Sequence, residues 1–324
     1  MITLHLGSSG ETVRQVQQAL TPNFYKGPID GDYGGGTQAA VRAFQKNQGL
    51  EPDGSVGEQT WSVLMGDQAP AASPLSDKGL DFRCLALTGT FETGTSDPEC
   101  FCGLSGDFDK QGLSFGVLQW NLGQGSLQPL LRDMITKHED ITKSVFGDHF
   151  DVLKEVMNLS NDGAGREDAL DFARSIQHPV TCRVYEPWRG YAKSLGRTQE
   201  FQAIQLRHAQ DAYNKALALC AEYGLWSERA VALMFDIVTQ NGSIRSVTRA
   251  QIMGDIGALP DGLEEGEREV RMLTIVANRR AEASNSRWID DVRRRKLCIA
   301  RGEGVVHGIK YDLDGQFGIR LVSH

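Results

Sequence analysis

The sequence predicts a mainly α protein in two parts. A bundle of three short helices comes first, followed by a linker and a larger helical domain with one small β-hairpin. Three observations predict this. Two N-terminal stretches share the spacing D-G-x-x-G-x-x-T, and residues 67–79, DQAPAASPLSDKG, are rich in Pro, Ala and Ser. Beyond residue 80, apolar residues recur at helical spacing, broken by a glycine-rich stretch around 100–120. The 324 residues are enough for two domains with separate cores. The boundaries expected are 1–66, 67–79 and 80–324.

In the first part, DGDYGGGT (30–37) and DGSVGEQT (53–60) form the near-repeat. Each Asp-Gly makes a turn, because glycine tolerates positive φ. Thr37 and Thr60 stand where they are expected to cap the helices TQAAVRAFQKNQ and TWSVLM. Ala40, Val41 and Phe44 make one apolar face, and Val13, Val16 and Leu20 make another in the helix after Gly10. The composition of residues 67–79 suits a linker without a core. Helices are then expected near 80–92, 126–137, 149–159, 166–176, 198–223, 227–240, 265–284 and 286–301. The run WSERAVALMFDIVTQNG is apolar almost all round and predicts a buried central helix. Strand and turn are expected only around 100–120, where GLSFGVLQW alternates best.

Composition excludes several classes. A net charge of −8 argues against a dedicated nucleic-acid binder. The run Arg293–Lys296 follows Asp290 and Asp291 and reads as a solvated helix face. No stretch of about 18 apolar residues is present to span a membrane. The start, MITLHLGSSGETVRQV, lacks the basic and apolar regions of a secretory leader, so synthesis in the cytoplasm and export by another route are expected. Six cysteines scattered through so long a chain do not make a disulfide scaffold. Cys100-x-Cys102 has no second pair, and His138, His149, His178 and His208 lack ligand spacing. No metal and no cofactor are therefore expected. GLSGD (103–107) lacks the second glycine of a nucleophile elbow.

The candidate chemistry lies in TGTFETGTSDPECFCGLSGDFDKQGLSFGVLQW, 88–120. Glu92 ends an apolar helical run containing Phe82, Leu85 and Ala86. There it meets the negative end of the helix dipole and apolar neighbours such as Phe91, and both disfavour the ionised form. A carboxylic acid that arrives protonated is what a glycosidase needs to protonate a leaving glycosidic oxygen. In the hairpin, Gly106, Gly112 and Gly116 permit tight turns, while Ser114, Gln119 and Asn121 offer neutral hydrogen-bonding groups. Trp120 adds an aromatic face. Asp97, Glu99, Asp107 and Asp109 compete for the role of second carboxylate, and Asp109 is preferred for its place near the hairpin tip, with Asp107 next.

Two resemblances add to this reading. GSSGETVRQVQQAL, DGDYGGGTQAAVRAFQ and GLEPDGSVGEQTWSVL together resemble the three-helix peptidoglycan-binding module of cell-wall hydrolases, from about Leu4 to Leu64. This implies bacterial peptidoglycan as partner, and makes Tyr33, on a loop, a candidate to stack on a sugar. FET…GLSFGVLQWNLGQGSLQ is similar to the lysozyme-like superfamily, nearest its goose-type lysozyme, lytic transglycosylase and chitosanase-like branches. That resemblance implies Glu92 as proton donor and Ser114 through Gln119 as the cleft hairpin. MFDIVTQNGSI resembles the helix end that completes such a cleft, placing Gln240 and Asn241 near substrate.

The implied protein is a monomeric, endolysin-like glycosidase. It would cut the β-1,4 bond between N-acetylmuramic acid and N-acetylglucosamine, as muramidase or lytic transglycosylase, after release to the wall. A phage endolysin and an injected effector both fit. The alternatives are a chitosanase-like hydrolase and a non-catalytic wall-binding protein.

Overall fold

The computed structural model describes residues 4–6, 8, 10–68 and 72–324. The first residues of the expected N-terminal part (1–3, 7 and 9) and the centre of the expected linker (69–71) lie outside the described residues. The chain divides into two compact units, and they do not follow its linear order. Met1–Arg83 and Ala216–His324 form one, and Cys84–Lys215 forms the other. The stretch 80–324, expected as one domain, is thus shared between them.

The N-terminal three-helix bundle of the first unit consists of α1 (Glu11–Leu20), α2 (Gly35–Asn47) and α3 (Glu58–Met65). Its core gathers the apolar stripes expected from spacing: Val13, Val16 and Leu20 with Ala40, Val41 and Phe44. The repeated loops are held differently from expectation. Thr37 and Thr60 do not cap: Gly34 and Gly57 precede the helices, and neither threonine caps from that position. Both threonines are buried inside their helices and accept from a glutamine amide, Gln17 at 3.2 Å and Gln45 at 3.1 Å. Gln17 also donates to Asp30 Oδ1 at 2.8 Å and accepts the Gly31 N–H at 2.9 Å. Gln45 does the same with Asp53 Oδ1 at 2.8 Å and the Gly54 N–H at 2.9 Å. Each Asp-Gly turn is therefore fastened to the helix before it by one buried amide, which satisfies backbone that would otherwise be orphaned.

The stretch expected as a linker contains buried residues. Ser73 and Leu75 are buried, and a turn spans them with Ser76 N–H donating to Ser73 O at 3.0 Å. A single leucine gives the segment an apolar anchor that its average composition hides.

The second unit begins within α4 (Leu80–Thr93) and ends within α10 (Gln199–Tyr223). Between them stand β1 (Leu104–Ser105), β2 (Ser114–Phe115), β3 (Trp120–Asn121), α5 (Gln128–Lys137), α6 (Glu139–Phe146), α7 (Phe150–Asn158), α8 (Gly163–Ser175) and α9 (Trp188–Gly196). The glycine-rich stretch is a three-stranded antiparallel sheet in the order β1-β2-β3, pairing Ser105 with Ser114 and Ser114 with Asn121. Phe115 on β2 reaches the core and stacks on Phe201 of α10 with ring centroids 5.2 Å apart.

The remainder of the first unit contains α11 (Glu228–Asn241), α12 (Ser246–Gly257), α13 (Glu265–Glu282), α14 (Ile289–Arg301), β4 (Glu303–Val306), β5 (Ile309–Asp312) and α15 (Leu313–Phe317). Ser227 caps α11 by accepting the Ala230 N–H at 3.1 Å. α11 is buried from Ala230 to Val238, as its all-round apolarity predicts. The β4–β5 hairpin was not expected. His307 and Gly308, both at positive φ, make its two-residue turn.

The run Arg293–Lys296 also departs from expectation. Arg295 and Lys296 are fully buried, not solvated, and both pair with Asp236 of α11. Arg295 Nη2 donates to Asp236 Oδ1 at 2.6 Å, and Lys296 Nζ donates to Oδ2. A buried carboxylate in an apolar helix is tolerable only with such partners.

Candidate active site

Glu92 stands on the last turn of α4. The eight residues before it, Cys84 to Phe91, are all buried. Glu92 is the first exposed side chain, so a rigid buried helix delivers a carboxylate to solvent. This corrects the expectation of an apolar setting: Phe91 is 2% exposed and is turned into the protein, whereas Glu92 is open to water.

The same turn receives the sheet. A Cβ added at Gly89 would lie 2.0 Å from Val117 Cγ2, so the β2–β3 turn lies directly on α4. A Cβ added at Gly103 would lie 2.9 Å from Thr93 Cγ2 and 2.7 Å from Gln119 Nε2. Glu92 is thus flanked along its helix by the two positions, Gly89 and Thr93, that meet the hairpin.

Gln119, at positive φ, spends its amide internally. Its Nε2 donates to Gly103 O at 3.0 Å and to Gly116 O at 2.9 Å, and its Oε1 accepts from Ser105 Oγ at 2.9 Å. Asn121 is buried: its Nδ2 donates to Ser114 Oγ at 3.0 Å and its Oδ1 accepts the Gln124 N–H at 3.1 Å. Trp120 packs on the core cluster. Ser114, Gln119 and Asn121, expected to meet substrate, spend these groups holding the sheet in shape.

The two aspartates differ. Asp107 accepts the Gly112 N–H on Oδ1 at 2.7 Å and Arg174 Nε on Oδ2 at 3.4 Å, closing the loop between β1 and β2. Asp109 is exposed on that loop, with Oδ1 accepting the Gln111 N–H at 3.1 Å. Glu99 is bound to Arg197 at 2.5 Å, and the hydrogen bond from that guanidinium lowers its carboxyl below the usual range.

Spacing did not reveal Gln205. Fully buried on α10, it accepts the Val117 N–H at 2.7 Å and donates to Phe101 O at 3.2 Å, clamping the turn that rests on α4.

The other predicted residues lie in the first unit. Gln240 and Asn241 end α11, and Gln240 Oε1 accepts from Lys296 Nζ at 2.8 Å. Tyr33 is not an exposed loop aromatic. It is 1% exposed in the helical core, its hydroxyl donates to Gly54 O at 3.1 Å, and burial pushes that hydroxyl far above its ordinary pKa. Its loop folds inward over the bundle, so it offers no ring to a sugar.

Residues 9–64 match the family described as putative peptidoglycan binding domain. The expected module is present. A spore cortex-lytic enzyme of Bacillus cereus is 45% identical over 60 residues, 18% of this chain and 23% of that protein. The zinc D-Ala-D-Ala carboxypeptidase of Streptomyces albus G is 39% identical over 79 residues, 23% of this chain and 30% of that protein. The chain thus spans less than a third of the length of either relative. Among solved structures, a mutant chitosanase from Bacillus subtilis MY002 in complex with six GlcN units is 18% identical, covering 70% of this chain and 87% of its own, with a TM-score of 0.41. No helix among the described residues is long and apolar enough to cross a membrane.

Proposed function

We propose that the chain is a bacterial cell-wall glycosidase tethered to its substrate by the N-terminal module, acting on the β-1,4 bond between N-acetylmuramic acid and N-acetylglucosamine. The observation that carries this reading is Glu92: an exposed carboxylate at the end of an otherwise buried helix, on the turn where the sheet docks. In this reading Glu92 gives its proton to the glycosidic oxygen as the bond to the anomeric carbon breaks. In an inverting hydrolase, Asp109 takes a proton from a water that attacks the opposite face, which requires the two carboxyls to stand about 6.5–9.5 Å apart around substrate. Asp109 is favoured over Asp107 because both Asp107 oxygens are already engaged in closing the loop. In a lytic transglycosylase the sugar's own 6-hydroxyl closes on the anomeric carbon, and Glu92 suffices. Tethering raises the local concentration of wall glycan at the site.

The test is loss of turbidity from purified walls given wild type or Glu92→Gln. Lysis by the wild type alone is the expected result. Equal lysis by both removes Glu92 from the reaction, and none by either leaves a wall binder. Mass spectrometry of the fragments then separates reducing ends from 1,6-anhydro ends, and release from chitosan instead of walls would favour the chitosanase-like reading.

A further inference from the structure

The first unit holds an open polar cavity of about 480 Å³ below the end of α11, walled by Asn241, Arg245, Arg280, Asn285, Trp288 and Asp291. Its two arginines are unusual for their surroundings. Nearby Arg279 is paired with Asp255 at 2.6 Å and with Glu282 at 2.9 Å, and Arg249 is paired with Glu222 at 2.7 Å. Neither Arg245 nor Arg280 has a carboxylate partner among the described residues. Arg280 makes one long contact, Nη1 to Ser284 Oγ at 3.4 Å, and its Nε is buried without a hydrogen-bond partner. Asn241 Oδ1 is likewise buried and unpartnered. Burial, and then the charge of Arg245, both work against the protonated form of Arg280. The one acidic group on the wall, Asp291, is taken by His307 Nε2 at 2.8 Å. Trp288, 52% exposed, adds a large apolar face at the rim.

Two guanidinium groups that line one cavity and have no carboxylate partner of their own are stabilised when a ligand carboxylate arrives, because charge-assisted bonds to it satisfy both. We propose that this cavity binds a carboxylate of the peptide that substitutes wall glycan, with Arg245 and Arg280 on the carboxylate, Asn241 and Asn285 on peptide amides, and Trp288 against apolar side-chain surface of the ligand. The choice of a wall peptide as source rests on the reading of the chain as a wall enzyme and on the module in the same unit. The oxyanion chemistry of the cavity does not. A cationic polymer is disfavoured here, which would set this site against glucosamine chains and in favour of peptide-bearing glycan.

Calorimetric titration of the full chain tests this with two probes: a muramyl disaccharide carrying its tetrapeptide, and the same disaccharide stripped of peptide and with its lactyl carboxyl amidated, so that it carries no carboxylate. The wild type is expected to bind the peptide-bearing probe about tenfold more tightly, as one charge-assisted contact supplies. Arg245→Gln, at an exposed position, and the double variant with Arg280→Gln should abolish that preference and leave binding of the stripped probe unchanged. Equal affinity of the wild type for both probes overturns the proposal. So does a preference that survives in both variants, which would place peptide recognition elsewhere, including in the N-terminal module. Inorganic phosphate alone binding as tightly as the peptide-bearing probe, and only in the wild type, would assign the cavity to a free oxyanion instead. None of these readouts needs bond cleavage, so a chain that lyses no walls yet discriminates the probes would retain this site while losing the glycosidase reading.

Discussion

Gly89 and Val117 touch where only a hydrogen fits: a Cβ on Gly89 would lie 2.0 Å from Val117 Cγ2. Alanine favours a helix interior over glycine by about 1 kcal/mol. Val117 is wholly buried and cannot step aside freely, so overpacking of about 1–3 kcal/mol prevails. Gly89→Ala should therefore lower the denaturant midpoint and slow wall lysis. Adding Val117→Ala should restore part of both, and a strictly additive double variant would show that the two positions do not meet.

Gln205→Leu removes the acceptor of the Val117 N–H and should cost about 1–3 kcal/mol, the usual penalty for a stranded buried donor. Thermal melting measures the loss. Wall binding by the N-terminal module is expected to persist.

Asp107→Asn and Asp109→Asn should separate shape from chemistry. The first weakens the loop closure to Gly112 and Arg174, lowering the melting temperature together with the rate. The second should leave the melting temperature within about a degree or two, as exposed substitutions do, while slowing lysis in an inverting enzyme. Unchanged lysis in Asp109→Asn with 1,6-anhydro products points to the single-carboxylate route.

Asp236→Asn should destabilise the chain by about 3–5 kcal/mol near neutral pH, because Arg295 and Lys296 are left buried without their anion. Burial alone raises the Asp236 carboxyl, but the two cations prevail and hold it at about 2. A depressed carboxyl contributes stability that is complete above its unfolded pKa of about 4 and is lost as the pH falls toward the folded value. On the acid side the gap between wild type and variant should hence narrow as the pH falls from about 4 to 2. A gap that widens in acid would contradict the assignment.

Gln17→Leu and Gln45→Leu should each unfasten one loop of the module, with wall pull-down and melting both reduced. Tyr33→Phe should cost about 1 kcal/mol through its lost bond to Gly54 without a specific effect on glycan.

Periodic features were legible in the sequence. The apolar stripes of α1 and α2, the buried α11 and the helix that ends at Glu92 all follow from local spacing. Short helices were not: a single residue, His138, separates α6 from α5, without a glycine or proline to mark the break, and α12 contains Gly254 and Gly257. The β4–β5 hairpin left a readable trace in GVVHGIKYD, where a two-residue turn separates branched residues. Charge pairing was the hardest to see. Arg295 looks like surface within its own run, and its partner Asp236 lies 59 positions away. The lone aspartate inside VALMFDIV was the available sign, since a buried carboxylate demands a cation. The exposure of Glu92 was illegible for a related reason: whether a helix end is covered depends on distant chain. Gln17 and Gln45 could have been found, as each stands four residues after a core valine, Val13 or Val41, on an apolar stripe.

The two glutamine fasteners have a mechanical consequence. One joins α1 through its loop to α2, and the other joins α2 to α3. Because α1 also packs directly on α3, a pull between the first and last helices is shared with that contact, and cutting one fastener slackens its own loop while the rest of the bundle still bears load.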